Sequence, residues 1–395
     1  MPLNPSILSL PPSYLFTEIA NKARKEQARC SERALIPLGI GDVTAPLSPV
    51  VARAMSECAL SMEKTIIGYQ SESGSQELRS SVANFLSTEK YHVPVEAIHI
   101  QDGAKPIFAR ILSLFGTNTK ISSFTPAYPA FKDAAFSLVQ APSFSLLDPI
   151  TENVFEVLEA NPPEVLVLCS PNNPTGDVFD TSFLKKLVAL ARRKKILIIH
   201  DAAYSFFLNR KTHTDLIKSL YEIEGASDVV IEIGSLSKSH GFTGLRLGWA
   251  VIPNTLIFAD LSSSLKRLFA STFNGACCIA QQGAIAALTP EGIADAQRQA
   301  ATYMRRAAQL KTHFEIKGWQ VEGGPHTPFV WMRPRCQEMF SKGSWHLFDL
   351  LLEQYGIIST PGIGFGPQGE GYLRLSGFAP QDTINLAIER VQNSL

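Results

Sequence analysis

A chain of 395 residues, 45% hydrophobic and 18% charged, can bury a sizeable core and has room for two or three average domains. Its 36 basic and 36 acidic residues cancel, so no net basic field points to nucleic acid or an anionic membrane. Apolar runs such as Val165–Cys169 and Ile196–Ile199 are far too short to span a bilayer and read as buried strands.

The first residues carry no basic segment followed by a long apolar one, so no signal peptide is read there and a cytoplasmic location is expected. The six cysteines form no CxxC pair, and the eight histidines are scattered. Reduced, mostly buried thiols are expected, with no metal site.

In chain order, the segment up to about residue 45 reads as an N-terminal arm. Short apolar runs then alternate with helical patterns, which predicts an α/β fold with a mostly parallel, mixed sheet covered by helices. Strands are expected at Ala97–Gln101, Lys120–Phe124, Glu164–Cys169, Ile196–His200, Val229–Ile233 and Leu247–Ile252. Helices are expected at Ala104–Phe115, Thr181–Arg193 and Gly275–Leu288, with Asp180 as the N-cap of the second. After about residue 289 the pattern changes. A long polar helix, Pro290 to Phe314, precedes short strands at Trp319–Val321, Phe329–Met332 and Tyr372–Leu375, with a helix at Ser344–Tyr355. This predicts a large domain over 46–288 and a smaller α+β domain over 289–395, against which the arm (1–45) packs.

The chemical motifs fall where strands give way to loops, the carboxyl edge at which open α/β sheets bind ligands. The stretch Ser235-Leu-Ser237-Lys238-Ser-His-Gly-Phe-Thr-Gly-Leu-Arg246 puts a lysine in a Ser/Gly-rich loop with an arginine eight residues on. Upstream stand Asn173, in Ser-Pro-Asn-Asn-Pro-Thr-Gly, and Asp201 with Tyr204, in His-Asp-Ala-Ala-Tyr. Together they supply what pyridoxal 5'-phosphate needs: a Schiff-base lysine, an acid for the pyridine nitrogen, polar groups for the ring oxygen and an arginine for the phosphate. Asp102-Gly103-Ala104-Lys105 opens a helical pattern whose backbone N–H groups suit a phosphate, and Ser235 and Ser237 add hydroxyls. Arg246 holds phosphate through a planar fork.

Read singly, each residue has a plainer reading. Lys238 could be a solvated lysine, Asp201 a helix N-cap, Tyr204 a core aromatic, Gly103 a turn glycine and Asn-Pro-Thr-Gly a mere turn.

The ordered set resembles the class I, fold-type I aminotransferases. That resemblance implies a pyridoxal-phosphate enzyme in which Lys238, Asp201 and Tyr204 are catalytic. It implies that Tyr128, in Thr-Pro-Ala-Tyr-Pro, stacks on the pyridine. It also implies that Arg374, in Gly-Tyr-Leu-Arg-Leu-Ser, clamps the substrate α-carboxylate.

A narrower resemblance is carried by Ser13-Tyr14-Leu-Phe-Thr-Glu-Ile, Leu38-Gly-Ile-Gly41-Asp-Val-Thr, Gly68-Tyr69-Gln-Ser-Glu72-Ser-Gly74, Asp102-Gly-Ala-Lys105 and Thr272-Phe-Asn274-Gly-Ala. These segments are similar to the LL-diaminopimelate aminotransferase branch. The resemblance implies amino transfer between LL-diaminopimelate and 2-oxoglutarate, giving tetrahydrodipicolinate, glutamate and water, on the route to lysine and cell-wall peptide. It implies a homodimer with shared sites: Tyr69 reaching the phosphate and Glu72 and Asn274 the substrate, all from the partner subunit. Tyr14, Gly41, Lys105, Tyr128 and Asn173 would line the substrate pocket. Read alone, Glu72 could also be a helix-start acid.

Two departures matter. Aspartate-type members bring in a partner arginine at the position that is Thr272 here, and Arg267 lies five residues too early. Gln70, Ser71 and Ser73 differ from the typical diaminopimelate pattern. A broad or aromatic aminotransferase, or a lyase acting at the β- or γ-carbon, fits the same scaffold. A ligand-binding regulator of the same fold would carry a DNA-binding domain ahead of the pattern, which begins within the first 50 residues.

Overall fold

The computed structural model describes residues 5–8, 10–11, 13–139, 142–150, 153–208, 215–323 and 326–392. The chain is an α/β protein built on a seven-stranded sheet. Its strands are β1 (Ile98–Gln101), β2 (Lys120–Phe124), β3 (Ser143–Leu147), β4 (Val165–Cys169), β5 (Leu197–Asp201), β6 (Val230–Ser235) and β7 (Gly248–Val251). Their order is β1-β7-β6-β5-β4-β2-β3. Only β7 runs antiparallel to its neighbours β1 and β6; the other pairs are parallel.

The six strands expected from apolar runs all form, within a residue or two at their ends. Strand β4 is buried at every position, as a strand covered on both faces should be. Strand β3 was not expected. It is an edge strand, Ser-Phe-Ser-Leu-Leu, buried only at Leu147, so it carries no continuous apolar run.

Helix Thr181–Lys194 starts where Asp180 accepts the Phe183 N–H at 2.7 Å. Lys195, at φ +55°, turns the chain out of that helix toward β5. The helix expected from Gly275 begins only at Cys278. Gly275 sits at φ +85°, and a Cβ there would lie 2.6 Å from the Ser71 carbonyl oxygen, so the chain stays non-helical to pass that loop.

The C-terminal part forms a four-stranded antiparallel sheet of β8 (Trp319–Glu322), β9 (Phe329–Pro334), β10 (Thr360–Pro361) and β11 (Leu373–Ser376), ordered β10-β11-β9-β8. The helices Pro290–Ile316 and Ser344–Tyr355 flank it. Ile19, Ile36 and Leu38 of the N-terminal segment are buried in one cluster with Leu310, Phe314, Leu347 and Leu373. Ile36–Pro37 also pairs in parallel with Ile357–Ile358.

The large sheet has its own clusters on its two faces. A smaller cluster, Tyr204, Phe207, Tyr303, Phe329 and Phe378, joins the two sheets at the end of β5. Among the described residues, no helix is long and apolar enough to cross a membrane.

Candidate active site

The carboxyl ends of β4, β5 and β6 open into a cavity of about 350 Å³, closed on its far side by β11 and the N-terminal segment. Its lining includes Tyr14, Gly41, Ala104, Lys105, Tyr128, Asn173, Asp201, Tyr204, Ser235, Ser237, Lys238, Arg246 and Arg374. Residues that lie up to 360 positions apart (Tyr14 and Arg374) thus converge on one space, and Gly103 adjoins it at Ala104.

Asp201 is the last residue of β5. Its carboxylate accepts the Ala203 N–H at 3.1 Å, but the next helical turn, Ser205–Phe207, begins after Tyr204, so the helix N-cap reading fails. Burial pushes its carboxyl above the usual range, an effect that this N–H and the neighbouring His200 only partly offset. A carboxylate so buried is costly to ionise unless a cation comes to lie beside it.

Lys238 follows the strand end of β6 by three residues. Its ammonium donates to the Gly41 carbonyl oxygen. Burial lowers its pKa from 10.5 to about 8; Asp42 opposes this, while Arg374 and Arg246 add to it. The solvated-lysine reading therefore fails: this amine is held ready to lose its proton.

Arg246 occupies the left-handed region at φ +58°. Its guanidinium donates to Thr243 O at 2.8 Å and to Ser237 Oγ at 3.3 Å. The Ser237 N–H donates to Ser235 Oγ at 3.1 Å, which fixes both hydroxyls beside the arginine. Across from them, Gly103 has φ +113°, and a Cβ there would stand 2.2 Å from Arg246 Nη2. Gly103 therefore admits the guanidinium to the first turn of helix Ala104–Leu112, whose free N–H groups favour an anion.

Arg374, in β11, is 2% exposed. Nη1 donates to Asn173 Oδ1 at 2.6 Å, and Nη2 to Gly39 O at 2.6 Å and Thr360 Oγ1 at 3.5 Å. The rings of Phe329 and Phe365 lie 4.5 and 5.0 Å from the guanidinium carbon. Burial lowers its pKa from 12.5 to about 10, and Tyr204, Tyr128 and Tyr14 oppose that. No carboxylate faces it among these contacts, so its charge is held for an anion in the cavity. Lys105 sits 4.9 Å over the Tyr14 ring. Burial raises the hydroxyl pKa of Tyr14, Tyr128 and Tyr204, so all three remain neutral donors near neutral pH.

Tyr69, Glu72 and Asn274 do not line this cavity. Tyr69 is 90% exposed, beside exposed Ile66 and Ile67. Gln70 N–H donates to Asn274 O at 3.1 Å, so the 69–73 and 272–275 segments lie together, with Tyr69 and Asn274 exposed and Glu72 half-buried. The helix-start reading of Glu72 fails, because that helix begins at Gln76 with Ser75 as its cap.

Four contributors went unnoticed in the sequence: Asp42 beside Lys238, Phe329 under Arg374, the Gly39 carbonyl and Thr360. Asp42 follows the Gly-Ile-Gly run and could have been singled out there. The others carry no local signal.

The chain matches the family model "Aminotransferase class I and II" over residues 33–391. The protein belongs to the class I and II aminotransferases. It is a pyridoxal-phosphate-dependent transaminase of fold type I.

This aminotransferase is 37% identical to the LL-diaminopimelate aminotransferase of Protochlamydia amoebophila, over 99% of its own chain and 97% of that protein. It is 33% identical to the chloroplastic LL-diaminopimelate aminotransferase of Arabidopsis thaliana, over 98% and 86% of the two chains. The structure of the L,L-diaminopimelate aminotransferase of Chlamydomonas reinhardtii superposes with a TM-score of 0.89 at 32% identity, covering 99% and 98% of the two chains.

The residues present fit the cofactor. Asp201 awaits a cation, Lys238 has a depressed pKa, and the Gly103–Arg246 cradle has no room for a Cβ.

Proposed function

We propose that this aminotransferase interconverts LL-2,6-diaminopimelate and 2-oxoglutarate with tetrahydrodipicolinate, glutamate and water, in a homodimer with shared active sites. The observation that carries the reading is the near full-length identity, 33–37%, to proteins that bear that name. The cavity suits the substrate class. Arg374 presents a buried fork for the α-carboxylate, and Lys105 lies over Tyr14 where a second carboxylate can meet it. The Tyr69–Glu72 and Asn274 segments face outward with Ile66, which is 98% exposed; a second copy covers them and receives Tyr69 at its phosphate and Glu72 at the distal ammonium.

Pyridoxal phosphate, when bound, supplies the electron sink that makes the substrate Cα–H acidic. Ser235, Ser237, Arg246 and the N–H groups at Gly103 and Ala104 would hold its phosphate. Asp201 would pair with its ring nitrogen, Asn173 and Tyr204 would donate to its ring oxygen, and Tyr128 would stack on its ring. The Lys238 amine, whose neutral form burial favours, would take the proton from the substrate Cα onto Nζ and hold it within the cavity. Arg374 holds the α-carboxylate so that the Cα–H bond points at that amine. One pocket serves both half-reactions, so kinetics are ping-pong.

Residues 46–288 act as the cofactor-binding domain, with 1–45 and 289–395 forming the N-terminal arm and the small C-terminal domain. The reading also includes a cytoplasmic enzyme, consistent with the sequence. The test is a spectral titration of the loaded protein. LL-diaminopimelate should convert the cofactor to its amine form, with aspartate inert. Conversion by aspartate or aromatic amino acids instead would replace diaminopimelate by a broader substrate range.

A further inference from the structure

Arg110 lies outside the cavity, on helix Ala104–Leu112, yet it ties the phosphate cradle to the outward-facing segments. Its guanidinium grips the Asp102 carboxylate with both nitrogens, at 2.5 and 3.2 Å. Nη1 also donates to Gln101 Oε1 at 2.9 Å. The guanidinium carbon lies 4.6 Å from the centre of the Phe273 ring, next to Asn274.

Gln101 passes the restraint on. It is fully buried, and its Nε2 donates to the Glu72 carbonyl oxygen at 3.3 Å. Its Oε1 is held by Arg110, so the amide can be oriented only one way. The adjacent Ile100 N–H donates to Ser73 O at 3.0 Å, which fixes the register of the same loop. Arg110 therefore touches both outward segments, the Glu72 loop through Gln101 and the Asn274 loop through Phe273. A simple surface ion pair with Asp102 would need neither contact.

We propose that Arg110 is a positioning residue acting in trans: it sets the geometry in which Glu72 and Asn274 enter the neighbouring subunit's pocket, and so governs affinity for the long diamino substrate. This rests on the shared-site reading above. Arg110 touches no reacting atom.

The experiment uses loaded homodimers and tagged hybrid dimers. Arg110→Met should raise KM for LL-diaminopimelate about tenfold, the equivalent of roughly 1.4 kcal/mol, with KM for glutamate within about twofold. The bound-cofactor absorbance should be unchanged. Arg110→Lys, which keeps the charge without the fork, should fall between.

In a hybrid of a Lys238→Ala subunit with an Arg110→Met subunit, the working pocket receives its segments from a chain with Arg110 intact, and KM should return to the parent value. In a hybrid of a Lys238→Ala/Arg110→Met double variant with an unaltered chain, KM should stay high. The reverse pattern would put the effect in Arg110's own phosphate cradle and overturn the proposal, as would an unchanged KM in the homodimer. A Lys238→Ala with Glu72→Ala hybrid separates the two layers: if it fails to restore affinity, the shared-site reading itself has failed.

Discussion

Asn173 Oδ1 and Arg374 Nη1 lie 2.6 Å apart, although 201 residues separate them. Asn173 stands in the loop after β4 of the large sheet, and Arg374 on β11 of the small one. Both line the cavity, and the bond ties the proposed carboxylate clamp to the group proposed to meet the cofactor's ring oxygen. If Arg374 takes the α-carboxylate and Asn173 the ring oxygen, as proposed above, this bond couples the two roles.

That linkage predicts non-additivity. Arg374→Lys loses the fork, and Asn173→Ala leaves Arg374 Nη1 without its acceptor. Each should lower kcat/KM at least tenfold, since a hydrogen bond to a charged group contributes about 1.5–3 kcal/mol. The double variant should cost clearly less than the product of the two. A double-mutant cycle on kcat/KM checks this, and strict additivity would contradict the linkage.

The depressed lysine gives a pH prediction. Below its pKa of about 8, the neutral fraction of Lys238 rises tenfold per pH unit; above it, the fraction saturates. The rate at which cofactor-free protein attaches pyridoxal phosphate should climb and then level near pH 8. Stopped-flow absorbance across pH 6–10 would read it. A rate still climbing at pH 10 would mean an ordinary lysine. Lys238→Ala should retain the cofactor without attaching it.

Gly103→Ala tests the phosphate cradle. The residue would sit at φ +113° with its Cβ 2.2 Å from Arg246 Nη2, so either the loop or the guanidinium must move. A strained φ costs about 1–3 kcal/mol. Cofactor affinity by equilibrium dialysis should fall at least tenfold, and Tm of the cofactor-free protein should fall modestly. Equal affinity would show that the cradle tolerates the shift.

Behind the site, His200 Nδ1 lies 3.0 Å from Glu232 Oε2, which also accepts from Ser219 Oγ at 2.8 Å and Leu220 N at 3.2 Å. His200 Nε2 faces Ser170 O at 3.1 Å. This buried network joins β5, β6 and the loop after β4 just below Asp201. Glu232→Leu leaves the buried Ser219 hydroxyl and Leu220 N–H without their acceptor and should destabilise the protein by about 1–3 kcal/mol, the cost of an unsatisfied buried polar group. Chemical denaturation would measure it, and a loss under 1 kcal/mol would make the network dispensable.

Much of the site was legible residue by residue because its chemistry is local. Lys238, Arg246 and the two serines share one loop, and the Asp201–Tyr204 turn follows an unmistakable buried strand. The helix starting after Gly103 also follows from local pattern. Strand β3 was not legible, because an edge strand buries too little to impose an apolar run. The late start of helix Cys278–Ala287 was hidden as well, since Gly275 is shaped by a loop 200 residues upstream rather than by its own neighbours.

The sequence by itself determined the fold class, the cofactor and the residue types at the reaction centre, because those depend on periodicity and on motifs a few residues long. Only the tertiary structure decided which groups face one another. The Gly41 carbonyl under Lys238, the Gly39 carbonyl and Phe329 around Arg374, and the displacement of Tyr69, Glu72 and Asn274 from the cavity are long-range results of how the two sheets and the arm pack. Burial does the rest. The pKa values of Lys238, Asp201 and Arg374 are set by the water that packing excludes, and no single stretch of chain carries that information.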